Sequence, residues 1–477
     1  MKFTNNKYSI RGLGIYVGLI IFLSAVVFVL FSSMFERNAP QIKVQNEIYW
    51  NFKKPINVAI ADDTQIKSYD ILFVDGEKKI KLETKVLKNE NGIIELEVMP
   101  PESDEFYKPK EANLQVEVYD TSKWNFFKGN HALSNSKIII DKKSPVANVI
   151  TNSYLLRQGG SGVIIVEIND ENIKDYYISF NDEEVFELFP FYKKNYYISV
   201  ITWPIDIKEF KRVNVVAVDL AGNRTEAKVP FYIKNFKEKI DDIKISDDFV
   251  NNVSKHVLEN SEMNVPNNIV ETFVKTNKEL REQNVKTIRD VAKKNLMNNL
   301  NTSFDIKPFV RLPNAATFAK FGERRHYFYN DIKIDEAWHL GMDWASVKRA
   351  EIFTSNPGKV IFKGYLGIYG DTAIIDHGYG IGSLYAHTSS LNVEVNDEVK
   401  AGDKIGNTGS TGAVFGDHLH FGMLVQGIEV NPNEWLDFDW MKTNVNKTIN
   451  DAVKIINGST APANGSAKWN KEQLQKV

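Results

Sequence analysis

The sequence predicts a mainly β protein of several domains that follows one N-terminal transmembrane helix. The chain has 477 residues, more than one ordinary hydrophobic core accommodates, so roughly three domains are expected. An uncharged, apolar run occupies residues 13–33. Alternating or β-branched strand patterns, broken by Gly, Asn and Asp, fill residues 41–235 and return over 305–440. Between them, residues 236–304 are rich in helix-forming side chains.

Residues 13–33 are expected to cross a membrane once, because a helix of this length spans about 30 Å. Lys2, Lys7 and Arg11 precede the run. The positive-inside rule therefore predicts a cytoplasmic N-terminus, with residues 1–37 as cytoplasmic stub and anchor and the rest of the chain outside. A cleaved signal peptide is the alternative. The run is longer than the usual apolar part of such a peptide, and no clear small-residue cleavage site follows.

Residues 41–145 and 146–235 are predicted to form two β-sandwich-like modules. The stretch VAIADDTQIKSYDILF at 58–73 is similar, with one gap, to VEINDENIKDYYISF at 166–180. An internal repeat of this length, built of short strands, suggests two sandwiches. The turn AVDLAGN in the second module resembles the end of immunoglobulin-like modules in bacterial surface proteins. Neither module gathers catalytic residue types.

Residues 236–304 are predicted to be largely helical. Apolar side chains such as Ile269 and Phe273 follow helical spacing. Asn267 or Asn268 is a candidate N-cap. This segment is either a helical connector or a regulatory segment that covers the groove of the following domain.

Composition limits the chemistry. The formal net charge is -2, so no nucleic acid is expected as a partner. The chain has no cysteine, which excludes disulfides, thiolate nucleophiles and zinc sites with cysteine ligands. A metal in this chain would need His, Asp or Glu ligands. The tail, residues 441–477, ends in a small, polar sequence and is predicted to be disordered.

Candidate site residues gather in three stretches of the 305–440 domain. WHLGMDW holds His339 and Asp343, SLYAHTS holds His387, and GDHLHFGML holds His418 and His420. Alternate residues of a strand face the same side, so the last two imidazoles are expected to lie side by side. Taken alone, two histidines at this spacing are more often ordinary polar residues on the solvent-exposed face of a sheet.

The complete set fits zinc chemistry. A catalytic zinc takes three protein ligands and leaves one position open. Two imidazoles and a carboxylate would leave the site with a net charge of about +1, which lowers the pKa of a bound water. Two further imidazoles could orient or deprotonate that water and stabilise the developing oxyanion or protonate the leaving amine.

These motifs, in this order, resemble the LytM/lysostaphin-type zinc metallopeptidases, which cut peptide bonds in peptidoglycan. H-x-x-x-D, Y-A-H and H-L-H-F carry the resemblance, together with FGERRH, HGYG, VKAGDKIGNTGSTG and NPNEW, over residues 320–437. The resemblance implies a compact antiparallel β domain with a narrow groove and one zinc per chain. By resemblance, His339, Asp343 and His420 are the zinc ligands, and His387 and His418 are the non-ligand catalytic histidines.

Some residues depart from the family pattern, and two further histidines have roles outside the catalytic set or at its border. The stretch AVFGD before His418 lengthens a loop near the groove, and Gly422 stands where many relatives carry glutamate. Both differences concern substrate preference rather than the chemistry. His377 is expected to hold a turn, and His326 is either an ordinary polar residue or a residue at the border of the groove.

The resemblance implies a zinc endopeptidase that hydrolyses the peptide cross-links of peptidoglycan in cell-wall remodelling. Its partners would be peptidoglycan stem peptides, the bacterial inner membrane through residues 13–33, and further cell-wall enzymes. The catalytic domain would face the periplasm. One alternative is a catalytically silent regulator that activates other cell-wall hydrolases. Another is a scaffold in which the β modules bind partners.

Overall fold

The computed structural model describes residues 10–86, 91–102, 108–296 and 304–459. The described part is mainly β, which confirms the predicted fold class. It divides into two compact units, which are considered separately below. The first comprises Met1–Ser144 with Asp219–Asn223, and the second comprises Pro145–Val218 with Arg224–Val477.

One apolar helix, α1 (Ile10–Phe31), opens the described chain. Its Leu13–Phe31 portion is long and apolar enough to cross a membrane and is not buried within the structure. A membrane anchor and a signal sequence both have these properties. The helix ends two residues before the predicted span does, where the Ser32 side chain accepts a hydrogen bond from the amide of Met34 and begins a 3-10 turn over Ser33–Phe35.

The β structure of the first unit is one seven-stranded sheet. β3 runs through it: its first half pairs with β1 and β5, and its second half pairs with β4 and β6. Alternate side chains of β3 and β6, such as Ile71, Phe73 and Val116, are fully buried. The elements of this unit after α1 are β1 (Gln41–Lys43), β2 (Glu47–Trp50), β3 (Ile56–Asp75), β4 (Lys78–Val86), β5 (Asn91–Val98), β6 (Glu111–Asp120), α2 (Trp124–Phe127) and β7 (His131–Ile140).

The second unit begins with two four-stranded sheets, ordered β13-β14-β10-β8 and β12-β11-β15-β16. Almost every side chain of β10 and β15 is buried, as expected for strands covered on both faces. The strands are β8 (Val146–Asn152), β9 (Leu155–Arg157), β10 (Ser161–Asn169), β11 (Ile173–Phe180), β12 (Glu184–Phe186), β13 (Phe189–Pro190), β14 (Tyr196–Thr202), β15 (Val213–Asp219), β16 (Arg224–Lys228) and β17 (Tyr232–Lys234).

The segment predicted as helical over 236–304 begins with a strand, which corrects that prediction. β18 (Lys239–Lys244) pairs in parallel with β20 of the C-terminal domain. Helices follow. Asn268, one of the two residues predicted as a possible N-cap, caps one of these helices with its side chain. Residues 297–303 lie outside the described residues. The helices are α3 (Asp247–Phe249), α4 (Lys255–Asn260), α5 (Ile269–Val274) and α6 (Arg281–Asn295), with wider helical turns at Val250–Ser254 and Lys275–Leu280.

The C-terminal domain is built on an antiparallel sheet ordered β19-β22-β30-β26-β25-β24-β28, with β31 beside β30. A smaller sheet, β23-β29-β27, and the ribbon β18-β20-β21 complete it. The strands are β19 (Ala316–Ala319), β20 (Glu323–Tyr329), β21 (Ile332–Trp338), β22 (Met342–Ala345), β23 (Glu351–Phe353), β24 (Gly358–Tyr365), β25 (Asp371–Asp376), β26 (Ile381–Ala386), β27 (Thr388–Leu391), β28 (Glu398–Val399), β29 (Lys404–Thr408), β30 (Leu419–Val425) and β31 (Ile428–Val430).

The predicted disordered tail, 441–477, is helical over its first part, so that prediction is wrong there. α7 (Pro432–Leu436) and α8 (Phe438–Trp440) lead through a wide turn, Met441–Asn446, into α9 (Lys447–Ile456). The turn and α9 bury Met441, Val445 and Ala452. Burial of this apolar stripe stabilises the helices. Residues 460–477 lie outside the described residues.

Residues 146–235 and the C-terminal domain share one continuous core rather than two separate ones. Fully buried side chains from both, including Val163, Phe189 and Phe421, belong to one cluster. Trp435 Nε1 donates to Ser161 Oγ over 3.1 Å. The buried carboxylate of Glu434 accepts a hydrogen bond from the amide of Ser161 over 2.7 Å.

This buried carboxylate predicts a pH dependence of stability. Burial raises the pKa of Glu434 from 4.5 to about 7, against the lowering effects of the Ser161 amide and Arg157. The folded state therefore keeps a proton that the unfolded state has released, and the free energy of unfolding falls as the pH rises from about 4.5 to about 7. Glu434→Gln is expected to stabilise the protein at pH 8 by roughly 2 kcal/mol and to lose this advantage at pH 5. Denaturant unfolding of both proteins at both pH values measures this. An equal difference at pH 5 and pH 8 would contradict it.

Candidate metal centre

Strand pairing brings the predicted site residues together. Asp343 in β22 lies directly opposite His420 in β30, and His420 lies opposite Ala386 in β26 on the other side. His387 follows β26, and His339 lies in the turn between β21 and β22. Residues distant in sequence therefore converge on the middle of the main sheet.

Three side chains present ligand atoms to one point. Asp343 Oδ1 lies 3.0 Å from His339 Nε2 and 2.8 Å from His420 Nδ1. The two histidine nitrogens are 3.2 Å apart. All three residues are more than nine-tenths buried. These are the residues that the resemblance assigns as zinc ligands.

The donor set fits a zinc ion. His339 Nδ1 donates to the carbonyl of Lys320 over 2.9 Å, which leaves Nε2 as the ring nitrogen that faces the carboxylate of Asp343. A cation between these atoms would stabilise this arrangement, and a second hydrogen bond that fixes the ring is typical of metal-binding histidines. Burial raises the pKa of Asp343, but the charge and hydrogen bond of His339, with further hydrogen bonds from His418 and His420, hold it well below its usual range. Asp343 is thus ionised, as a ligand must be.

Gly341 allows His420 to occupy this position. A Cβ atom at residue 341 would lie 2.4 Å from His420 Nε2 and 2.8 Å from the carbonyl oxygen of Phe421. Neither atom can move away freely, because His420 and Phe421 lie on a central strand. The glycine between His339 and Asp343 is therefore required by the close approach of β30.

His387 and His418 lie beside the three ligand candidates without joining them. Their ring centroids are 4.9 Å apart, and the centroid of His387 is 5.7 Å from that of His420. His387 Nδ1 donates to the carbonyl of Thr411, and His418 Nδ1 donates to that of Gly416, each over 2.8 Å. Both rings thus keep Nε2 for other partners.

The two rings have different charge preferences. His387 has a φ of 60°, an uncommon conformation for a residue other than glycine and one that often marks functional sites. Burial, together with the neighbouring imidazoles of His418 and His420, holds the pKa of His387 well below its usual range. Burial also opposes the charge on His418, but the hydrogen bond and charge of Asp343, 3.6 Å away, raise its pKa overall.

All five residues line one cavity of about 490 Å³. Its remaining wall comes partly from the segment 236–304, which contributes Phe249, Phe273 and Arg281. Phe415, in the lengthened loop AVFGD, stacks on Phe249 with ring centroids 4.4 Å apart. The segment therefore lines part of the groove. The sequence contains no local signal for this placement, because it depends on the distant pairing of β18 with β20.

The other two histidines of this domain lie outside the cavity. His377 is buried and bridges the carbonyl of Pro357 and the hydroxyl of Ser383, at 2.8 Å each. It thus joins neighbouring strands, in line with the turn-holding role expected of it. His326 lies 3.4 Å from Asp242 and 3.5 Å from Glu336, which favours the interpretation as an ordinary polar residue.

Sequence analysis alone did not single out Arg325. It lies in the stretch FGERRH and lines the cavity, with its Nη2 atom 3.3 Å from Asp343 Oδ2. Strand alternation in this stretch could have suggested that it faces the opposite side from Arg324 and His326.

Comparison with known proteins finds matches to this domain. Residues 337–432 match the family model described as "Peptidase family M23". The chain is 34% identical over 129 residues to a "DD-carboxypeptidase/endopeptidase Mpg" of Neisseria meningitidis, covering 27% of this chain and 28% of that protein. It is 38% identical over 102 residues to the "Murein hydrolase activator NlpD" of Escherichia coli, covering 21% of this chain and 27% of that protein. The chain thus spans about a quarter of the length of these curated relatives.

A solved structure gives a similar match. The catalytic domain of lysostaphin from Staphylococcus simulans is 27% identical, with a TM-score of 0.23, covering 26% of this chain and 94% of that domain. The named relatives include both hydrolases and activators of hydrolases, so the family alone does not decide between these roles.

Proposed function

We propose, from the premise that residues 337–432 form a domain of peptidase family M23, that this protein is a zinc metalloendopeptidase that hydrolyses peptide cross-links of peptidoglycan. The observation that carries the proposal is the convergence of His339, Asp343 and His420 in one cavity that also holds His387 and His418. An activator that works only by contact with another enzyme needs none of these five side chains in place.

In this proposal, His339 Nε2, Asp343 Oδ1 and His420 Nδ1 would hold one zinc ion. Bound there, zinc would supply the Lewis acidity that the reaction needs at the scissile carbonyl and at the attacking water. The protein contributes the buried, rigid ligand set. It also contributes the hydrogen bond from His339 to Lys320, which fixes the ring for binding.

The two remaining histidines divide the proton transfers. His387 is neutral, and with Nδ1 donating to Thr411 its Nε2 lone pair can accept a proton from the attacking water. His418 faces the carbonyl of Gly416 on one side and the carboxylate of Asp343 on the other. Both neighbours are acceptors, so this ring is the one suited to hold two protons. It can then stabilise the oxyanion and protonate the leaving amine.

The test is hydrolysis by the full chain in detergent micelles. Purified cross-linked peptidoglycan fragments are incubated with the protein, with and without a chelator, and the products are weighed by mass spectrometry. We expect cross-linked dimers to become monomers with the gain of one water, and zinc to restore a chelated sample. Absence of cleavage by protein that carries zinc would contradict the proposal and favour the activator role.

We further propose that α1 anchors the protein in the cytoplasmic membrane, with the N-terminus in the cytoplasm and the β domains in the periplasm. The charge distribution around the apolar run supports this orientation. A reporter enzyme that is active only in the periplasm, fused after residue 477, tests it. An inactive reporter with an intact fusion would contradict it.

The Phe249–Phe415 stack joins two walls of the groove, and access to the site is expected to depend on it. Phe415→Ala removes the contact, so kcat/KM for cross-linked fragments should rise several-fold. Phe438→Ala removes a similarly exposed ring that does not line the cavity, and serves as the matched control. A lower kcat/KM for Phe415→Ala would contradict the expectation and indicate that the ring binds substrate.

A further inference from the structure

One positively charged side chain beside the candidate metal centre, Arg325, has no role in the proposed mechanism. Arg325 lies in the middle of β20, and its Nη2 atom is 3.3 Å from Asp343 Oδ2. Its neighbour Arg324 faces away from the cavity: it pairs with Glu336 and lies over the ring of Trp338, 4.7 Å from the centroid. Arg325 is therefore the only arginine of this pair that faces the reacting groups.

The guanidinium of Arg325 has unused hydrogen-bonding capacity. It carries five N–H donors in a planar fork. Its Nε atom is buried and has no hydrogen-bond partner among the described residues. The carboxylate that it contacts, Asp343, is also a candidate zinc ligand. A carboxylate that is bound to a metal interacts less strongly with an arginine. The Arg325 side chain is 23% exposed and lines the cavity, so a second anion within the cavity has access to it.

The position of Arg325 limits where that anion can be on a substrate. The guanidinium touches a residue that holds the metal centre, so an anion bound to it lies close to the scissile bond. Arginine binds a carboxylate with two parallel hydrogen bonds, which adds orientation as well as affinity. The candidate partner is thus a carboxylate on the carbon atom next to the reacting amide.

We propose that Arg325 binds a substrate carboxylate on the carbon that bears the leaving nitrogen. This inference rests on the proposed function and specifies its substrate class. Cross-links whose amine side is a diamino acid with a carboxylate at its reacting end would be preferred. Cross-links through a side-chain amine that lacks this carboxylate, as in lysine, would be poor substrates. Arg325 is then a specificity-determining residue.

The test uses two synthetic cross-linked peptides that are identical except at this carboxylate, which is free in one and amidated in the other. The zinc-loaded full chain is compared with Arg325→Gln, Arg325→Lys and the control Arg324→Gln. We expect the wild type and the control to prefer the free carboxylate by about 10- to 100-fold in kcat/KM, mainly through KM. Arg325→Gln should lose this preference, so that kcat/KM for the free carboxylate relative to the amide falls to about 1, and Arg325→Lys should recover part of it.

Two measurements separate this inference from competing explanations. Zinc content should stay at one per chain in Arg325→Gln; loss of zinc would overturn the inference and assign Arg325 to the orientation of Asp343. Calorimetric binding of the amine-side product, in free and amidated forms, reports on recognition without turnover, and equal binding of both by the wild type would overturn the inference. Equal cleavage of both peptides by the wild type would also overturn it and leave the proposed function standing. Cleavage of neither peptide, together with no cleavage of native cross-linked fragments, would overturn the proposed function itself.

Discussion

Replacement of His420 by alanine is expected to remove bound zinc and to reduce cross-link hydrolysis to background. His420 Nδ1 lies 2.8 Å from Asp343 Oδ1 and 3.2 Å from His339 Nε2, so its loss leaves two ligands in an enlarged, buried site. Loss of groups that merely support a metal ligand costs about 10- to 100-fold in affinity or activity. Loss of a ligand should therefore cost more than about 100-fold.

The measurement combines zinc content after dialysis with cleavage of cross-linked fragments. His326→Ala is the matched control, because this histidine belongs to the same domain but lies outside the cavity. It should keep one zinc per chain and near-normal activity. If His420→Ala kept stoichiometric zinc, its assignment as a ligand would be wrong.

Replacement of His418 by alanine is expected to have the opposite signature: zinc is retained and turnover is lost. His418 Nε2 lies 3.6 Å from Asp343 Oδ1, and the ligand triangle closes without it. Removal of a group that transfers protons in the transition state costs typically about 10²- to 10⁴-fold. The loss should appear in kcat, with zinc content unchanged. His387→Ala should behave in the same way.

Measurement of kcat, KM and zinc content for His418→Ala and His387→Ala tests whether these residues take part in turnover without binding the metal. Near-normal hydrolysis by His418→Ala would remove it from the mechanism. Loss of zinc in the same variant would instead make it a ligand, which its 3.6 Å distance from Asp343 does not favour.

The grouping of the candidate ligands could be predicted from the sequence, because short motifs contain them. H-x-x-x-D and H-x-H fix residue types at spacings that a turn and a strand convert directly into geometry. Asp343 and His420 lie directly opposite each other on neighbouring strands, which brings the two motifs together. Gly341 belongs to the same motif, and its role follows from the close approach of His420.

The groove wall and the shared core were beyond sequence reasoning, because both depend on long-range contacts. The sequence KIDDIK at 239–244 alternates only weakly, and its pairing with β20 has no local signature. Ser161 and Trp435 are hydrogen-bonded across 274 positions of the chain. The predicted disorder of 441–477 followed the polar composition of its end and overlooked the apolar stripe of α9.

Anomalous X-ray scattering at the zinc absorption edge, from crystals of the metal-loaded protein, tests the central claim most directly. The account predicts one strong peak per chain, about 2.0–2.1 Å from His339 Nε2 and His420 Nδ1 and about 2.0–2.2 Å from Asp343 Oδ1. His387 and His418 should lie outside bonding distance. A peak at any other place in the chain, or a peak bonded to His418 in place of His420, would contradict it.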